Sequence, residues 1–385
     1  MTKQPRLLLA ALLWAFAFSA CAQFPAKSVR VIVPFTAGSA IDVNARLIGQ
    51  KLSEMWGQSG RRQLSCPVDD YQDCLHTLAC YAALDGHEVL RYREPARDMA
   101  HFAALLQGAD AVVAVRERSD FPRDLLEQLP TLKLISQVGR SAQTIDLQAC
   151  NALDITVCAG TQASPIAPAE LTWALILATR RNLVLEATRM RQGAWPTTLS
   201  HRLSGSTLGI YGLGMIGQLV ARVGPAFSMR VLVWGRDASR AAAKRLGYEF
   251  ADSREQFFAQ SEVISLHVRL TAQTRGMVTS TDLAGMKPTS LLVNTSRAWL
   301  IEAGALEAGL RAGRPGFAAV DVYEHEPVLG GDHPLLAMPN VVCMPHLAWA
   351  DRETFELYFG EPFRNVADFF SGRAVNVMNQ PVLRR

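Results

Sequence analysis

From about residue 61 onward, short apolar runs alternate with longer segments in which apolar positions have helical spacing. This alternation predicts parallel β-sheets flanked by helices, because each strand–helix–strand unit brings the chain back in the same direction. The first series contains two candidate helices, at residues 74–84 and 99–106. Its candidate strands are residues 64–68, 88–91, 111–115, 132–136 and 155–158.

A long helical segment over residues 168–192 separates this series from a second one, and Pro168 and Glu170 suit its first turn. A final helix is predicted over residues 351–370. The pattern predicts an α/β fold with two doubly wound parallel-sheet domains. The candidate strands of the second series are residues 208–211, 230–234, 263–267, 290–294, 317–321 and 341–343.

The N-terminus has a different pattern. Lys3 and Arg6 precede an unbroken apolar run, and Ala20-Cys21-Ala22 offers a cleavage sequence. This is the order of a secretory signal, which we predict for residues 1–22. A buried N-terminal helix is the alternative interpretation.

The segment that follows, FPAKSVRVIVPFTAGSAIDVNARLIGQKLSEMWG at residues 24–57, resembles the start of periplasmic solute-binding proteins that serve tripartite tricarboxylate transporters. One strand and one helix cannot bury their apolar faces as an independent domain. We therefore interpret residues 23–60 as a fused remnant. A gene fusion, or a start codon chosen upstream of the true one, would explain it.

Charge and cysteine content narrow the classes of function. The chain has 39 Lys and Arg against 35 Asp and Glu, and its basic residues are scattered, so no nucleic-acid partner is expected. The seven cysteines form no C-x-x-C pair, which argues against a zinc site and favours reduced thiols. No stretch outside the N-terminus suits a stable membrane span. These features predict a cytoplasmic protein, whereas residues 1–22 would direct export.

A glycine-rich motif, Gly212-Leu213-Gly214-Met215-Ile216-Gly217, stands between a predicted strand and a predicted helix. In this context the backbone N–H groups at the helix N-terminus receive the pyrophosphate of a dinucleotide. We therefore predict that Gly212, Gly214, Met215, Ile216 and Gly217 bind a cofactor, and that the second domain is of the Rossmann type.

The next strand ends at Trp234, where NAD-specific proteins place an acidic residue. Gly235 leaves room there, and Arg236 could pair with the 2′-phosphate of NADP. Asp237 is a later candidate for the ribose hydroxyl of NAD. Arg236 could also be a solvated loop charge, so both NAD and NADP stay open.

Three charged residues follow strands of the second series, at the edge where ligands bind in open α/β sheets. A histidine such as His346 can exchange a proton with a bound substrate near neutral pH. Glu326 would favour the charged imidazole, and Arg297 offers a planar fork for carboxylate and carbonyl oxygens. Taken singly, each could be an ordinary core, turn or surface residue.

Residues 62–382 resemble the D-isomer-specific 2-hydroxyacid dehydrogenases. The matching segments, in the family's order, are GLGMIG, HVRLTAQTRGMV (267–278), MKPTSLLVNTSRA (286–298), AVDVYEHEP (319–327) and NVVCMPHLA (340–348). The resemblance implies catalytic roles for Arg297, Glu326 and His346, and contact of Asp321 with the nicotinamide amide.

The resemblance also implies an architecture. Residues 61–162 with 350–385 would form the substrate domain, and residues 163–349 the NAD(P)-binding domain. The loop of Gly139, Arg140 and Ser141 would offer backbone N–H groups to the substrate carboxylate. The family usually forms homodimers through the long helix, and the apolar TWALILA segment (172–178) suits that contact.

Two departures from the family affect the pocket. Ser141 stands where many members have a second glycine. Ala348-Trp349 comes after His346, at a place where glycine is usual beside the histidine. Trp349 either lines the substrate pocket or packs at the domain junction. The resemblance implies an oxidoreductase that transfers hydride between NAD(P) and a D-2-hydroxy acid/2-keto acid pair. A cofactor-sensing module with little turnover is the alternative. An exported solute-binding protein is disfavoured because the rest of that fold is absent.

Overall fold

The structure, a computed structural model, describes residues 63–68 and 70–379. The predicted signal segment (1–22) and the solute-binding-like segment (23–60) lie outside these residues. Among the described residues, 65–68, 70–85 and 90–379 belong to one compact unit, which contains all the candidate site residues.

The first sheet has five strands with the spatial order β2-β1-β3-β4-β5. Its third, fourth and fifth strands run parallel. The third and fourth are buried along their whole length, which is typical of parallel strands covered on both faces. The bounds are β1 Gln63–Val68, β2 Glu88–Tyr92, β3 Ala111–Val115, β4 Leu134–Val138 and β5 Thr156–Ala159.

The second sheet has seven parallel strands in the order β12-β11-β10-β9-β6-β7-β8. The chain order reverses between β6 and β9, which is the switch point where such sheets bind ligands. The bounds are β6 Thr207–Tyr211, β7 Arg230–Trp234, β8 Glu249–Phe250, β9 Val263–Leu266, β10 Leu291–Asn294, β11 Phe317–Val320 and β12 Val341–Cys343.

Helices cover both faces of the second sheet. Ile210 packs into one apolar cluster with Ile176 and Val220, whereas the next residue, Tyr211, packs into the opposite cluster with Phe257. The α-helices are α1 Met99–Leu106, α2 Arg123–Leu126, α3 Leu147–Ala152, α4 Ile166–Arg180, α5 Leu183–Arg191, α6 Met215–Val223, α7 Asp237–Leu246, α8 Arg254–Gln260, α9 Ser280–Ala284, α10 Ala305–Arg311 and α11 Arg352–Phe370. This is the predicted α/β class with a Rossmann-type domain.

The predicted helix over residues 74–84 is wrong. Two short 3₁₀ helices, Leu75–Thr77 and Ala79–Leu84, take its place, with an extended residue between them. The N–H groups of Ala79 and Cys80 donate to the carboxylate of Glu356, at 2.5 and 2.9 Å. These N–H groups thus have a partner on α11 rather than within a continuous helix.

The predicted long helix over residues 168–192 is also divided. α4 ends at Arg180 and α5 begins at Leu183, because Asn182 has a left-handed backbone (φ 54°). The Nδ2 group of Asn182 donates to Oγ1 of Thr198 at 3.0 Å, which supports the break. Within the TWALILA segment, which the resemblance implies at a dimer contact, Trp173, Leu175 and Ile176 are buried within the chain.

The predicted strand boundaries differ from the observed ones by at most two residues, the largest shift being at β4. Among the residues that the structure describes, no helix combines the length and apolar character needed to cross a membrane. The five cysteines described are all unpaired.

Candidate active site

The glycine-rich turn between β6 and α6 requires glycine at two positions. Gly212 has a positive φ (94°), and a Cβ there would lie 2.7 Å from the carbonyl oxygen of His267. A Cβ on Gly217 would lie 2.2 Å from the carbonyl oxygen of Gly212. A Cβ on Gly214, by contrast, would meet nothing within 4 Å. The first and third glycines therefore serve close packing, and the second borders open space.

The N-terminus of α6 opens onto this space. Its N-cap, Gly214, provides no side-chain cap, and the first N–H groups of a helix lack partners within the helix. Met215, the first helical residue, is 68% exposed. An uncapped helix start beside an open glycine turn fits the pyrophosphate of a dinucleotide. The residues present therefore suit a bound NAD(P).

The end of β7 lies against the same turn. A Cβ on Gly235 would be 3.6 Å from the Cα of Gly212. Ser239 joins the two loops, since its Oγ accepts the N–H of Leu213 at 3.1 Å. Arg236 is the exposed N-cap residue of α7. Ser239 was not predicted from the sequence, where its only signal is a hydroxyl in the first turn of the helix after β7.

His346 and Glu326 form a close pair. Nδ1 of His346 lies 2.6 Å from Oε2 of Glu326, whose Oε1 accepts the N–H of Tyr323 at 2.8 Å. Burial raises the pKa of Glu326, but the hydrogen bond and charge of His346 outweigh it, so this pKa lies below its ordinary value. The carboxylate is thus ionised at neutral pH and holds the imidazole through Nδ1.

Asp321 anchors the loop that carries His346. It follows β11 and is fully buried. Its two carboxylate oxygens accept the N–H groups of Leu347 and Ala348, at 2.7 and 2.8 Å. Burial raises the pKa of Asp321 to about 6, against the lowering effect of these hydrogen bonds.

Arg297 follows β10 in a loop fixed by Asn294. The side chain of Asn294 donates to the carbonyl of Arg297 at 2.9 Å and accepts the N–H of Ser296 at 3.0 Å. Nη1 of Arg297 donates to the carbonyl of Ser296 at 2.7 Å. Nη2 lies 3.5 Å from Oε2 of Glu117, a residue that follows β3 of the first sheet.

Arg297, Glu326 and His346 line one cavity of about 1100 Å³. Three residues from the loop after β3 line it too, namely Arg116, Glu117 and Arg118. None of these three was predicted from the sequence. Their signal is the R-E-R sequence directly after an apolar strand, at the edge where ligands bind.

Trp349 both packs and lines the cavity. It is only 4% exposed, and its ring centroid lies 4.8 Å from that of Phe355. The residue nevertheless belongs to the cavity lining. The guanidinium groups of Arg116 and Arg118 lie over its ring, 5.3 and 5.2 Å from the centroid. Trp349 thus packs against α11 and also lines this cavity.

The predicted loop of Gly139, Arg140 and Ser141 is not part of this cavity lining. Gly139 has a positive φ (90°), and Nε of Arg140 donates to the carbonyl of Thr161 at 2.5 Å. The structure thus brings the three charged candidates together and leaves this loop outside the cavity wall.

His267 has no part in the charged pair. Its Nε2 lies 2.9 Å from Oγ of Ser265, and burial lowers its pKa to about 4. It is therefore neutral near pH 7. In the described part of the chain, no three His, Cys, Asp or Glu side chains are grouped to hold a metal ion.

A glycine-rich turn at the switch point of a parallel sheet, with a histidine–glutamate pair after the neighbouring strands β11 and β12, is typical of nucleotide-dependent oxidoreductases. A family model for "D-isomer specific 2-hydroxyacid dehydrogenase, NAD binding domain" matches residues 173–348. The glyoxylate reductase of Aeropyrum pernix is 38% identical over 271 residues, which are 68% of this chain and 80% of that protein.

Two further similar proteins have related names. The glycerate dehydrogenase of Methylorubrum extorquens is 32% identical over 71% of this chain and 86% of its own length. The crystal structure of a phosphoglycerate oxidoreductase from Vibrio cholerae O395 is 44% identical, with a TM-score of 0.78, over 81% of this chain and 99% of that one.

The chain belongs to the D-isomer-specific 2-hydroxyacid dehydrogenase family. It is an NAD(P)-dependent oxidoreductase of D-2-hydroxy acids and 2-keto acids.

Proposed function

We propose that His346 is the proton donor and acceptor of this reaction, that Glu326 holds its imidazole, and that Arg297 binds the substrate carboxylate. The observation that carries this proposal is the meeting of all three groups in one cavity, with the 2.6 Å contact between His346 and Glu326. That contact uses Nδ1 and leaves Nε2 of His346 for the substrate.

When bound at the glycine-rich turn, a reduced nicotinamide cofactor would supply the hydride for C2 of the 2-keto acid. In this direction Arg297 holds the carboxylate and orients the carbonyl, as its planar fork suits both oxygens. Nε2 of His346 donates a proton to the oxygen on C2, which completes the hydroxy acid. The Glu326 carboxylate stabilises the protonated imidazole before this step and keeps its orientation throughout.

We propose that Gly212, Gly214, Met215, Ile216 and Gly217 hold the pyrophosphate. The uncapped start of α6 and the open space at Gly214 support this assignment. Asp321 would contact the nicotinamide amide, because each of its oxygens keeps acceptor capacity beyond one backbone N–H.

For the ribose, Gly235 and Arg236 favour NADP. Arg236 is exposed at the N-cap of α7, so its guanidinium can donate hydrogen bonds to a 2′-phosphate. We also propose that the backbone N–H groups of Gly139, Arg140 and Ser141 bind the substrate carboxylate. These residues follow β4, which lies beside β3, and the loop after β3 carries the cavity residue Glu117.

We infer that the enzyme is a homodimer. Apolar side chains are exposed on α5 and in the segment after it, including Leu183, Met190, Trp195 (80%) and Leu199 (95%). A cluster of exposed apolar side chains is typical of a protein–protein interface. We propose that a second copy of the chain covers this surface.

We propose that the enzyme works in the cytoplasm, because reduced nicotinamide cofactors are scarce outside it. The unpaired cysteines agree with a reducing compartment. An intact-mass measurement of the natural protein tests this: retention of residues 1–22 supports it, and loss of about twenty N-terminal residues contradicts it.

Replacement of His346 by alanine tests the proton-transfer role. We expect kcat to fall by about 10²–10⁴-fold while the Kd of the reduced cofactor stays within about two-fold. Unchanged kcat would refute the assignment of His346.

A further inference from the structure

Glu117 occupies a place between two guanidinium groups in the cavity. Its Oε2 lies 3.5 Å from Nη2 of Arg297 and 3.8 Å from Nε of Arg116. It is the first acidic residue after β3 and reaches across from the first sheet to a residue that follows β10. No part of the proposed reaction uses this carboxylate.

The chemistry of Glu117 matches that of the substrate. The proposed function needs the Arg297 guanidinium to bind a carboxylate, and Nη1 already donates to the carbonyl of Ser296. Nη2, one of the donors that the planar guanidinium offers to a substrate carboxylate, faces the Glu117 carboxylate. The internal carboxylate and the incoming one therefore compete for the same donor.

The ion pair is weak enough to be displaced. Both side chains are 36% exposed, so water and salt screen their attraction. The 3.5 Å separation is also longer than the roughly 2.7–2.9 Å that is typical of a strong charge-assisted hydrogen bond. A substrate carboxylate with better geometry could take this donor, and Glu117 would keep Arg116 as its neighbour.

We propose that Glu117 is a specificity-determining residue that competes with the carboxylate of the 2-keto acid for Arg297. It sets how strongly the enzyme binds small carboxylates and leaves the chemical step unchanged. This inference rests on the proposed role of Arg297. Its signature is a change in KM without a change in kcat.

Glu117→Gln in the full chain tests it, because the amide keeps the shape and removes the charge. At low ionic strength we expect KM for a 2-keto acid such as glyoxylate to fall about two- to five-fold, with kcat within about two-fold. Isothermal titration with oxalate, a carboxylate that does not react, should show a Kd lower by the same factor. Added salt should reduce the difference between variant and wild type.

The matched control is Glu94→Gln, which removes an exposed carboxylate from the wall of the same cavity. An equal gain in both variants would indicate a general charge effect and would overturn the proposal. A higher KM or a lower kcat in Glu117→Gln would also overturn it, since Glu117 would then support Arg297 rather than compete for it.

Arg297→Gln separates this inference from the proposed function. If its KM and oxalate Kd match the wild type, the carboxylate-binding role of Arg297 fails. If they rise while Glu117→Gln has no effect, only the competition fails. In the double variant Glu117→Gln/Arg297→Gln, the Kd of oxalate should equal that of Arg297→Gln alone, because Glu117 acts only through Arg297 in this proposal.

Discussion

The buried carboxylate of Asp321 accepts the backbone N–H of Leu347, the residue next to His346, at 2.7 Å. Its second oxygen holds the next N–H, that of Ala348. One side chain at the end of β11 therefore fixes the loop that places the proposed acid–base histidine. We propose that the same carboxylate also contacts the nicotinamide. In that case Asp321 would position both His346, the proposed proton donor, and the cofactor that donates the hydride.

Asp321 also makes stability depend on pH in an unusual direction. Burial raises its pKa to about 6, above the ordinary value of 3.8, so the folded protein binds the proton more strongly than the unfolded chain. The contribution of this group to the free energy of unfolding is therefore complete below about pH 4 and declines as pH rises to about 6.

Asp321→Asn lacks this titration. We expect the free energy of unfolding of the wild type, relative to this variant, to fall by up to about 3 kcal/mol between about pH 4 and pH 7. Melting temperatures of the two proteins across this range measure it. A difference that grows in favour of the wild type with rising pH would show that the folded protein stabilises the ionised form.

Glu326→Gln should slow the reaction without loss of cofactor binding. The charge that supports the protonated imidazole disappears, and the amide can serve only one of the two groups that Glu326 now accepts from, His346 and the N–H of Tyr323. We expect kcat to fall by about 10–100-fold. Steady-state kinetics beside titration of NADPH measures both quantities, and a kcat equal to that of the wild type would refute the role.

Arg236→Ala should discriminate between the two cofactors. Loss of a charge-assisted contact with the 2′-phosphate costs about 1.5–3 kcal/mol, so we expect KM for NADPH to rise at least about ten-fold while KM for NADH is unchanged. Arg240→Ala is the control, because it also removes a positive charge near the start of α7. The guanidinium of Arg240 lies 4.1 Å from the centroid of the Phe250 ring instead. Equal effects on both cofactors would contradict NADP preference.

Leu199→Asp should convert the dimer to a monomer. A charge on a side chain that is 95% exposed does little to the fold but prevents burial against a second copy. Sedimentation velocity measures the change, with Leu246→Asp, on α7 at 39% exposure, as the control. A wild-type protein that sediments as a monomer would refute the dimer.

Most strands were predictable because parallel strands covered on both faces are largely continuous apolar runs, as in β3 and β10. The two-residue strand β8 was not predicted, since so short a segment carries no such run. The helix breaks at Leu78 and Asn182 were not predictable, since they involve contacts outside the local helical pattern, with Glu356 on α11 and with Thr198 beyond the end of α5. Local spacing carries no information about such contacts.

In the candidate site, too, some residues were predictable from the sequence and others were not. Arg297, Glu326 and His346 could be predicted to meet because they follow neighbouring strands of one sheet, and resemblance to a known family supports the set. Glu117 could not, because it reaches Arg297 from the other sheet. The placement of one sheet's loops against the other's depends on tertiary packing.

The most direct measurement is oxidation of NADPH and NADH by the full chain with a panel of 2-keto acids, including glyoxylate, hydroxypyruvate and phenylpyruvate. We predict turnover with at least one of them, and formation of the D-hydroxy acid from hydroxypyruvate or phenylpyruvate, whose products are chiral. Tight cofactor binding without turnover on any member of the panel would contradict this prediction and would indicate a cofactor-sensing module instead.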